Sequence, residues 1–546
     1  MKRNNKLIVL LLALFVVLMG LPFLVPRMGA LSLIAFVPLL CAERIATQYG
    51  IKKFFWWYFS AFLAFNFLCT GWVCIATIGG GIFANLYTAF VMSAIFAVFR
   101  ISKKRFNGVI PYIFLAVMWI AWERFNLVEA QASWPWLVLG NAFAYTPHLV
   151  QWYEYTGLLG GSLWIWVTNL SIFGILVSLS DGRILNWNGK AKIASVVGLA
   201  IAIMGPVVLS KVIYSNYLER DDAGCLDVAL VQPSFTPDQK LVLIPQSKQI
   251  QRIVELAHSV MDEQTGDNVT LLMFPETLCS DIWLDDVKSS STWNTFNRDI
   301  LQVYPNVNLI FGASTHKAIF SRAKPDILAR PLSGGNGWYL SYNSAFVTDH
   351  YGRVQYTNKS KLVPGAEVTP YPSLIVPVDD MIGGFAGRMV PQGYADNLEV
   401  VAYDLEGHPK KSIPVGVPIC YESVYPEFCA QYVQKGAVLL AEMSNDSWWA
   451  NSSGRIQHFN YCRLRAIELR RDVVRSVNTG VTVFVNQKGD VLKQVKIGEE
   501  GVLRSSVNLT SVLTFYAKYG DIVGRICTMM FVFLLLALVV KSIVKK

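Results

Sequence analysis

Hydrophobic positions are distributed in two regimes along the chain. Apolar runs close to the ~20 residues a bilayer core demands recur at 7–25, 28–45, 54–76, 82–100, 108–124, 161–180 and 193–214, and one more closes the chain at 522–540. Between 216 and 520 the apolar runs are short and broken by polar, Gly and Pro residues. The first run follows Met1–Lys6, is too long for a signal-peptide core and lacks a small-residue cleavage site, so it reads as a retained span. The pattern predicts a seven-span membrane domain at 1–215, a soluble domain at 216–520, and a last span with a tail at 521–546.

Charge gives the orientation. The basic segments Lys2–Lys6, Ile51–Lys53, Arg100–Arg105, Gly182–Lys192 and Lys541–Lys546 all fall on one side of the membrane if there are seven plus one spans. Positive loops stay cytoplasmic, so the domain 216–520 is expected outside, in the periplasm when the membrane is a bacterial inner membrane. The net charge of +10 sits in these clusters, with charged residues only 16% of the chain. That placement points to topology and anionic lipid, and away from a nucleic-acid face.

Within 216–520 the runs Leu226–Gln232, Val269–Phe274, Asn308–Ser314 and Val415–Ile419 read as buried strands. A helix is expected at 246–263, and a strand from Tyr342 turns at Asp349–Gly352 before resuming at Val354–Thr357. Strand–helix–strand units of this kind predict a layered α/β domain. Nine cysteines include no CxxC pair and no Cys/His cluster of zinc spacing, so neither metal nor cofactor is expected. Disulfides among the five cysteines of the soluble region stay open.

Three strand ends carry chemistry. Glu276 follows the run 269–274, Lys359 follows 354–357, and Cys420 follows 415–419. Each alone has a plainer reading: a solvated carboxylate, a surface cation, an inert buried thiol. Reacting groups gather at the carboxyl ends of strands in layered α/β folds, and a base, a cation and a thiol together suffice for acyl transfer.

Phe-Pro-Glu276, Tyr-x-x-Lys359-x-x-Leu-Val-Pro and Ile-Cys420-Tyr-Glu resemble the Glu–Lys–Cys triad of the nitrilase superfamily. With apolar spans before and after that domain, the chain resembles the membrane-embedded apolipoprotein N-acyltransferase family over nearly its full length. Trp134-Pro-Trp-Leu, Glu367, Asn445-Asp-Ser-Trp-Trp449, Gln457-His458 and Arg463–Gly480 match as well. The resemblance implies an α-β-β-α sandwich and a ping-pong reaction with catalytic Glu276, Lys359 and Cys420. It also implies a phospholipid acyl donor and, as acceptor, the free amino group of a diacylated prolipoprotein. Lys361 is the rival of Lys359, which fits the motif offset better.

Glu367, Tyr421 and Glu422 are supporting candidates. Trp134 and Trp136 read as an aromatic belt or as a lipid-admitting loop, and Trp448, Trp449 and the apolar stretch Val368–Met389 as packing or as an acyl-contacting lid. His458 is expected to be structural. The arginines of 463–475 are expected on a helix face paired with Glu468 and Asp472, with lipid phosphate as the lesser reading. Pro364-Gly-Ala-Glu367 departs from the family's Pro-Phe-Gly-Glu, which puts the backbone before Glu367 in question. The competing functions are a membrane-tethered amidase, which leaves the leading spans unused, and a transporter or lipid-binding protein, which would place more charge inside the spans.

Overall fold

A computed structural model describes residues 2–182, 189–262, 269–381, 387–403 and 408–544. Parts of two segments named above, 183–188 in the basic loop and 382–386 in the apolar stretch, lie outside the described residues, as does residue 263. The chain divides into two compact units, one of Met1–Ala130, Trp134–Tyr217 and Tyr519–Lys546, the other of Gln131–Ser133 and Leu218–Lys518.

The first unit is helical. Among the described residues, six of its helices are long and apolar enough to cross a membrane: Asn4–Leu24, Gly29–Gln48, Ile78–Ser102, Leu158–Ser180, Gly189–Asn216 and Ile522–Val544. Two further apolar runs take other forms. The run 54–76 breaks after Thr70 into a 17-residue helix, Phe54–Thr70, and a short turn, Val73–Ala76. The helix Ile110–Val128 runs past the expected end and carries Glu123 and Arg124 in its last turns. An anion among apolar helices needs a partner, and Glu43 has two: Lys103 Nζ at 2.5 Å and Arg100 Nε at 3.4 Å.

The second unit is built on two sheets. The strands β1 (Gly224–Gln232), β2 (Leu271–Met273), β3 (Cys279–Trp283), β4 (Asn308–Ile319), β5 (Arg330–Pro331), β6 (Trp338–Thr348) and β7 (Val354–Asn358) belong to the first. The second holds β8 (Leu398–Tyr403), β9 (Pro409–Gly416), β10 (Leu439–Ser444), β11 (Val473–Val477), β12 (Val483–Val485) and β13 (Val491–Gln494). The chain then returns through β14 (Gly501–Leu509) to pair antiparallel with β1 and complete an eight-stranded first sheet.

Strand alternation sets the layers. Leu226, Val228 and Leu230 of β1 pack with Val400, Ile413, Val415 and Met443 of the second sheet. The intervening Ala229 and Val231 pack with the other face's cluster, to which the helix Gln246–Asp262 contributes Ile250, Ile253, Val254 and Ala257 at helical spacing. Helices Pro426–Gln434 and Ser453–Leu469 pack on the second sheet. The layers are therefore helix, sheet, sheet, helix. Parallel pairing of β1, β2 and β4, and of β9, β10 and β11, brings the carboxyl ends of the two sets of strands to common edges.

Two expected elements are different. The strand expected at 415–419 is instead Pro409–Gly416, and Ile419 makes only an isolated bridge to Met443. The arginine run is not a single helix face: the helix ends at Leu469, Arg470 turns through φ +47°, and Val473–Val477 is a strand. A left-handed arginine at a helix end carries no sequence signature, since glycine is the usual residue there.

Candidate active site

Glu276 leaves β2 through Phe274-Pro275, and the approach is tight. Gly312 on β4 accepts this loop because a Cβ there would lie 2.7 Å from Glu276 Cα. Lys359 directly follows β7, its N–H donating to Asn343 O at 2.7 Å. Cys420 opens the short 3-10 turn Cys420–Val424 after β9 with φ +51°, a conformation few non-glycine residues hold without support from their surroundings.

The structure brings Glu276, Lys359 and Glu367 into one cluster. Lys359 is 1% exposed, and its ammonium donates to Glu276 Oε1 at 3.0 Å and Glu367 Oε1 at 2.9 Å. Asn343 Nδ2 bridges the same two oxygens at 2.7 and 3.0 Å. Glu367 Oε2 accepts from Val363 N at 2.8 Å, so both Glu367 oxygens are occupied. Glu276 differs: among the described residues no donor reaches Oε2, and one N–H of Lys359 is likewise without an acceptor. Burial opposes charge on Lys359, but Glu276, Glu367 and Cys420 raise its pKa well above the ordinary lysine value. Lys361 sits elsewhere, its ammonium 5.1 Å from the Tyr425 ring centre.

Cys420 is held as a thiol. Burial pushes its pKa well above the usual range, the Glu276 charge pushes the same way, and Lys359 opposes both. A proton must therefore be removed as the sulfur attacks. Glu422 spans two loops: its Oε2 accepts from Ile419 N at 2.8 Å and its Oε1 from Ser360 N at 2.6 Å, tying the nucleophile's turn to the Lys359 loop. Burial raises the Glu422 pKa to about 7 despite these bonds. Tyr421 donates to Ser133 O at 2.9 Å. Gly365 takes φ +83° and Ala366 keeps negative φ, so the altered Pro-Gly-Ala-Glu sequence leaves Glu367 well held.

Behind the nucleophile lies a second buried network that sequence reasoning missed in part. His458 faces Asp446 Oδ1 at 3.1 Å through Nδ1 and Cys420 O at 3.2 Å through Nε2. Arg475 donates to Glu442 Oε1 at 2.8 Å and Asp446 Oδ2 at 3.0 Å. Burial would raise the Asp446 pKa, but Arg475 and His458 hold it well below the usual carboxylate range. Glu442 and Arg475 are cross-strand partners in β10 and β11, a register invisible before pairing is known. Cys420, Asp446 and His458 place one possible metal-ligand atom each within 4.8 Å of one another. Ser444, Arg475 and Ser423 already engage the Asp446 and His458 atoms, and a guanidinium there repels a cation.

The arginines meet one expected partner and several unexpected ones. Arg465 pairs with Glu468 at 2.7 Å, whereas Arg470 and Arg471 donate to Gln487 O and Ala437 O. Asp472 accepts from Asn508 N at 2.8 Å. Lys240 is a further residue missed from sequence. Its Nζ donates to Thr277 Oγ1 at 3.0 Å, and burial pulls its pKa down to about 8 against the Glu276 charge.

The tryptophans divide. Trp134 and Trp136 belong to the helical unit, stacked at 5.2 Å, with Trp136 fully buried. Trp448 is 43% exposed, and Trp449 meets the His458 ring edge-on at 5.4 Å. All nine cysteines are free thiols.

Comparison with known proteins gives two family matches: Carbon-nitrogen hydrolase over residues 227–515, and Apolipoprotein N-acyltransferase N-terminal domain over residues 10–171. Among curated relatives, Apolipoprotein N-acyltransferase of Chlorobaculum tepidum is 26% identical over 91% of this chain and 89% of its own. The protein of the same name from Geobacter metallireducens is 24% identical over 94% of this chain and 91% of its own. Among solved structures, a nitrilase-superfamily branch 10 member from Saccharomyces cerevisiae is 16% identical, covers 52% of this chain and 90% of its own, and has a TM-score of 0.35.

Proposed function

The chain belongs to the carbon–nitrogen hydrolase family, and from that membership we propose that it is an apolipoprotein N-acyltransferase of the bacterial inner membrane. It moves an acyl chain from a phospholipid to the free α-amino group of a lipoprotein's diacylglyceryl-cysteine. The observation that carries acyl transfer rather than small-amide hydrolysis is the joining of a Glu–Lys–Cys site to a helical region that matches the acyltransferase N-terminal family. Substrates with two or three acyl chains reside in the bilayer, and a multi-pass protein works where they are.

The chemistry follows from the spare valences. Glu276 Oε2 takes the Cys420 proton as Sγ attacks an ester carbonyl of the phospholipid. The third N–H of Lys359 meets the oxyanion, a contact of a kind worth roughly 3–4 kcal/mol. The carbon–oxygen bond to glycerol breaks, Glu276 returns the proton to that oxygen, and the lysophospholipid leaves a thioester on Cys420. The acceptor's neutral amine then attacks the thioester and gives a proton to Glu276, which returns it to sulfur as the carbon–sulfur bond breaks. Glu367 and Asn343 fix Lys359 and Glu276, and Glu422 fixes the nucleophile's turn.

The reading of seven leading spans and one closing span, with all the basic segments on the cytoplasmic side, supports a periplasmic position for residues 216–520. Trp448 supplies an exposed apolar surface for acyl chains. The test uses the full chain in detergent with a phospholipid and a diacylated lipopeptide bearing a free N-terminus. Mass spectrometry is expected to show one added acyl group on the peptide nitrogen. Free fatty acid or ammonia without N-acylation would instead indicate a hydrolase.

A further inference from the structure

The arginines of 463–475 were candidates for lipid phosphate, but the domain uses their donors internally on Glu468, Gln487 O, Ala437 O, Glu442 and Asp446. Arg455 is placed differently. It lies in the first turn of the helix Ser453–Leu469, capped by Ser452, and is only 9% exposed. Among the described residues no carboxylate, carbonyl or hydroxyl accepts from its guanidinium, and its Nε is buried without a partner.

The charge acting on Arg455 is that of Asp446. That carboxylate is no counter-ion for it, because Ser444, His458 and Arg475 already bind both oxygens. Asp446 also belongs to the cluster whose ligand atoms, Cys420 Sγ among them, lie within 4.8 Å of one another. A cation without a hydrogen-bond acceptor therefore stands one carboxylate away from the nucleophile. Arginine does not shed its proton in proteins, and burial disfavours its charge where no acceptor offsets it. The helix start adds further positive potential at the same place.

We propose that Arg455 is a binding residue for a phosphate ester, the headgroup phosphate of the phospholipid acyl donor. This assignment rests on the acyl-transfer reading above. One glycerol carries both the ester carbonyls and the phosphate, so a thiol that attacks the ester needs its phosphate subsite a few bonds away. The planar guanidinium fork matches two phosphate oxygens, which a lysine ammonium cannot do. Donors without phosphate gain nothing from it, so Arg455 acts on donor choice.

The experiment compares thioester formation on Cys420 of the full chain from phosphatidylglycerol and from diacylglycerol with the same acyl chains. Arg455→Gln is expected to lower the phosphatidylglycerol-to-diacylglycerol rate ratio about tenfold, equivalent to about 1.4 kcal/mol, and Arg455→Lys to lower it less. An unchanged ratio, or equal losses with both donors, overturns the assignment. A second arm does not depend on acyl transfer: glycerol 3-phosphate should protect Cys420 from iodoacetamide in the wild type and not in Arg455→Gln. Inorganic phosphate protecting as well as glycerol 3-phosphate would overturn the lipid source. Arg455-dependent protection without any thioester from phospholipid would sink the acyl-transfer reading and leave the subsite standing.

Discussion

Cys420 stands between two buried ionic clusters of similar make-up. On one side Lys359 faces Glu276 and Glu367, and on the other Arg475 faces Glu442 and Asp446. Each has one cation for two carboxylates, and each is shielded from water. They differ in what is left over. In the Arg475 cluster Asp446 has protein partners on both oxygens, and His458 contacts the Cys420 carbonyl. In the Lys359 cluster one oxygen of Glu276 and one N–H of Lys359 remain uncommitted among the described residues. Glu442 Oε2 likewise accepts from no described residue, so neither buried charge nor spare hydrogen-bonding capacity alone marks a cluster as reactive; spare capacity counts beside the nucleophile, where the charges of Glu276 and Lys359 act on the sulfur.

The comparison breaks most visibly on turnover. Glu276→Gln keeps the shape and the Oε1 contacts but cannot take a proton, so N-acylation of the lipopeptide should fall on the order of 10³–10⁴-fold, with thermal stability little changed. Arg475→Met should do the reverse. It leaves Glu442 and Asp446 buried without their cation, a loss of about 3–5 kcal/mol, read as a fall in Tm of roughly 10 °C. A small stability change in Arg475→Met, or a large one in Glu276→Gln, would erase the distinction between the clusters.

A smaller effect sharpens it. The Glu276 charge helps hold the Cys420 pKa above its ordinary value. Removing that charge lowers the thiol pKa, so the thiolate fraction at pH 8 rises. Iodoacetamide should then label Cys420 a few-fold faster in Glu276→Gln than in the wild type, although turnover is lost. The gap should close as pH rises towards the thiol pKa, where both proteins are increasingly ionised. Slower labelling in the variant would mean that loss of Glu276 as the base for the thiol outweighs loss of its repelling charge.

Much of this was legible in the sequence, for identifiable reasons. Val269–Phe274 and Val415–Ile419 are apolar runs that stop just before Glu276 and Cys420, so both residues could be singled out, although the strands themselves are Leu271–Met273 and Pro409–Gly416 and only the first lies inside its run. Lys359 was separable from Lys361 by motif offset, and burial of the first against placement of the second over Tyr425 gives the physical distinction. The Arg475 cluster was not legible, because it exists only once β10 and β11 align Glu442 with Arg475. The end of the helix at Leu469 was hidden by an arginine in a position usually taken by glycine. Arg455 drew no notice because its distinction is the lack of a partner among the described residues, which no linear pattern displays.

The central claim is that Cys420 carries the acyl group. Full-length protein in detergent is incubated with labelled phospholipid, precipitated, and treated with neutral hydroxylamine, which cleaves thioesters. The account predicts one hydroxylamine-labile acyl chain on Cys420 in the wild type and none in Cys420→Ala. An adduct that persists in Cys420→Ala, or a wild-type protein that never becomes acylated, would contradict it.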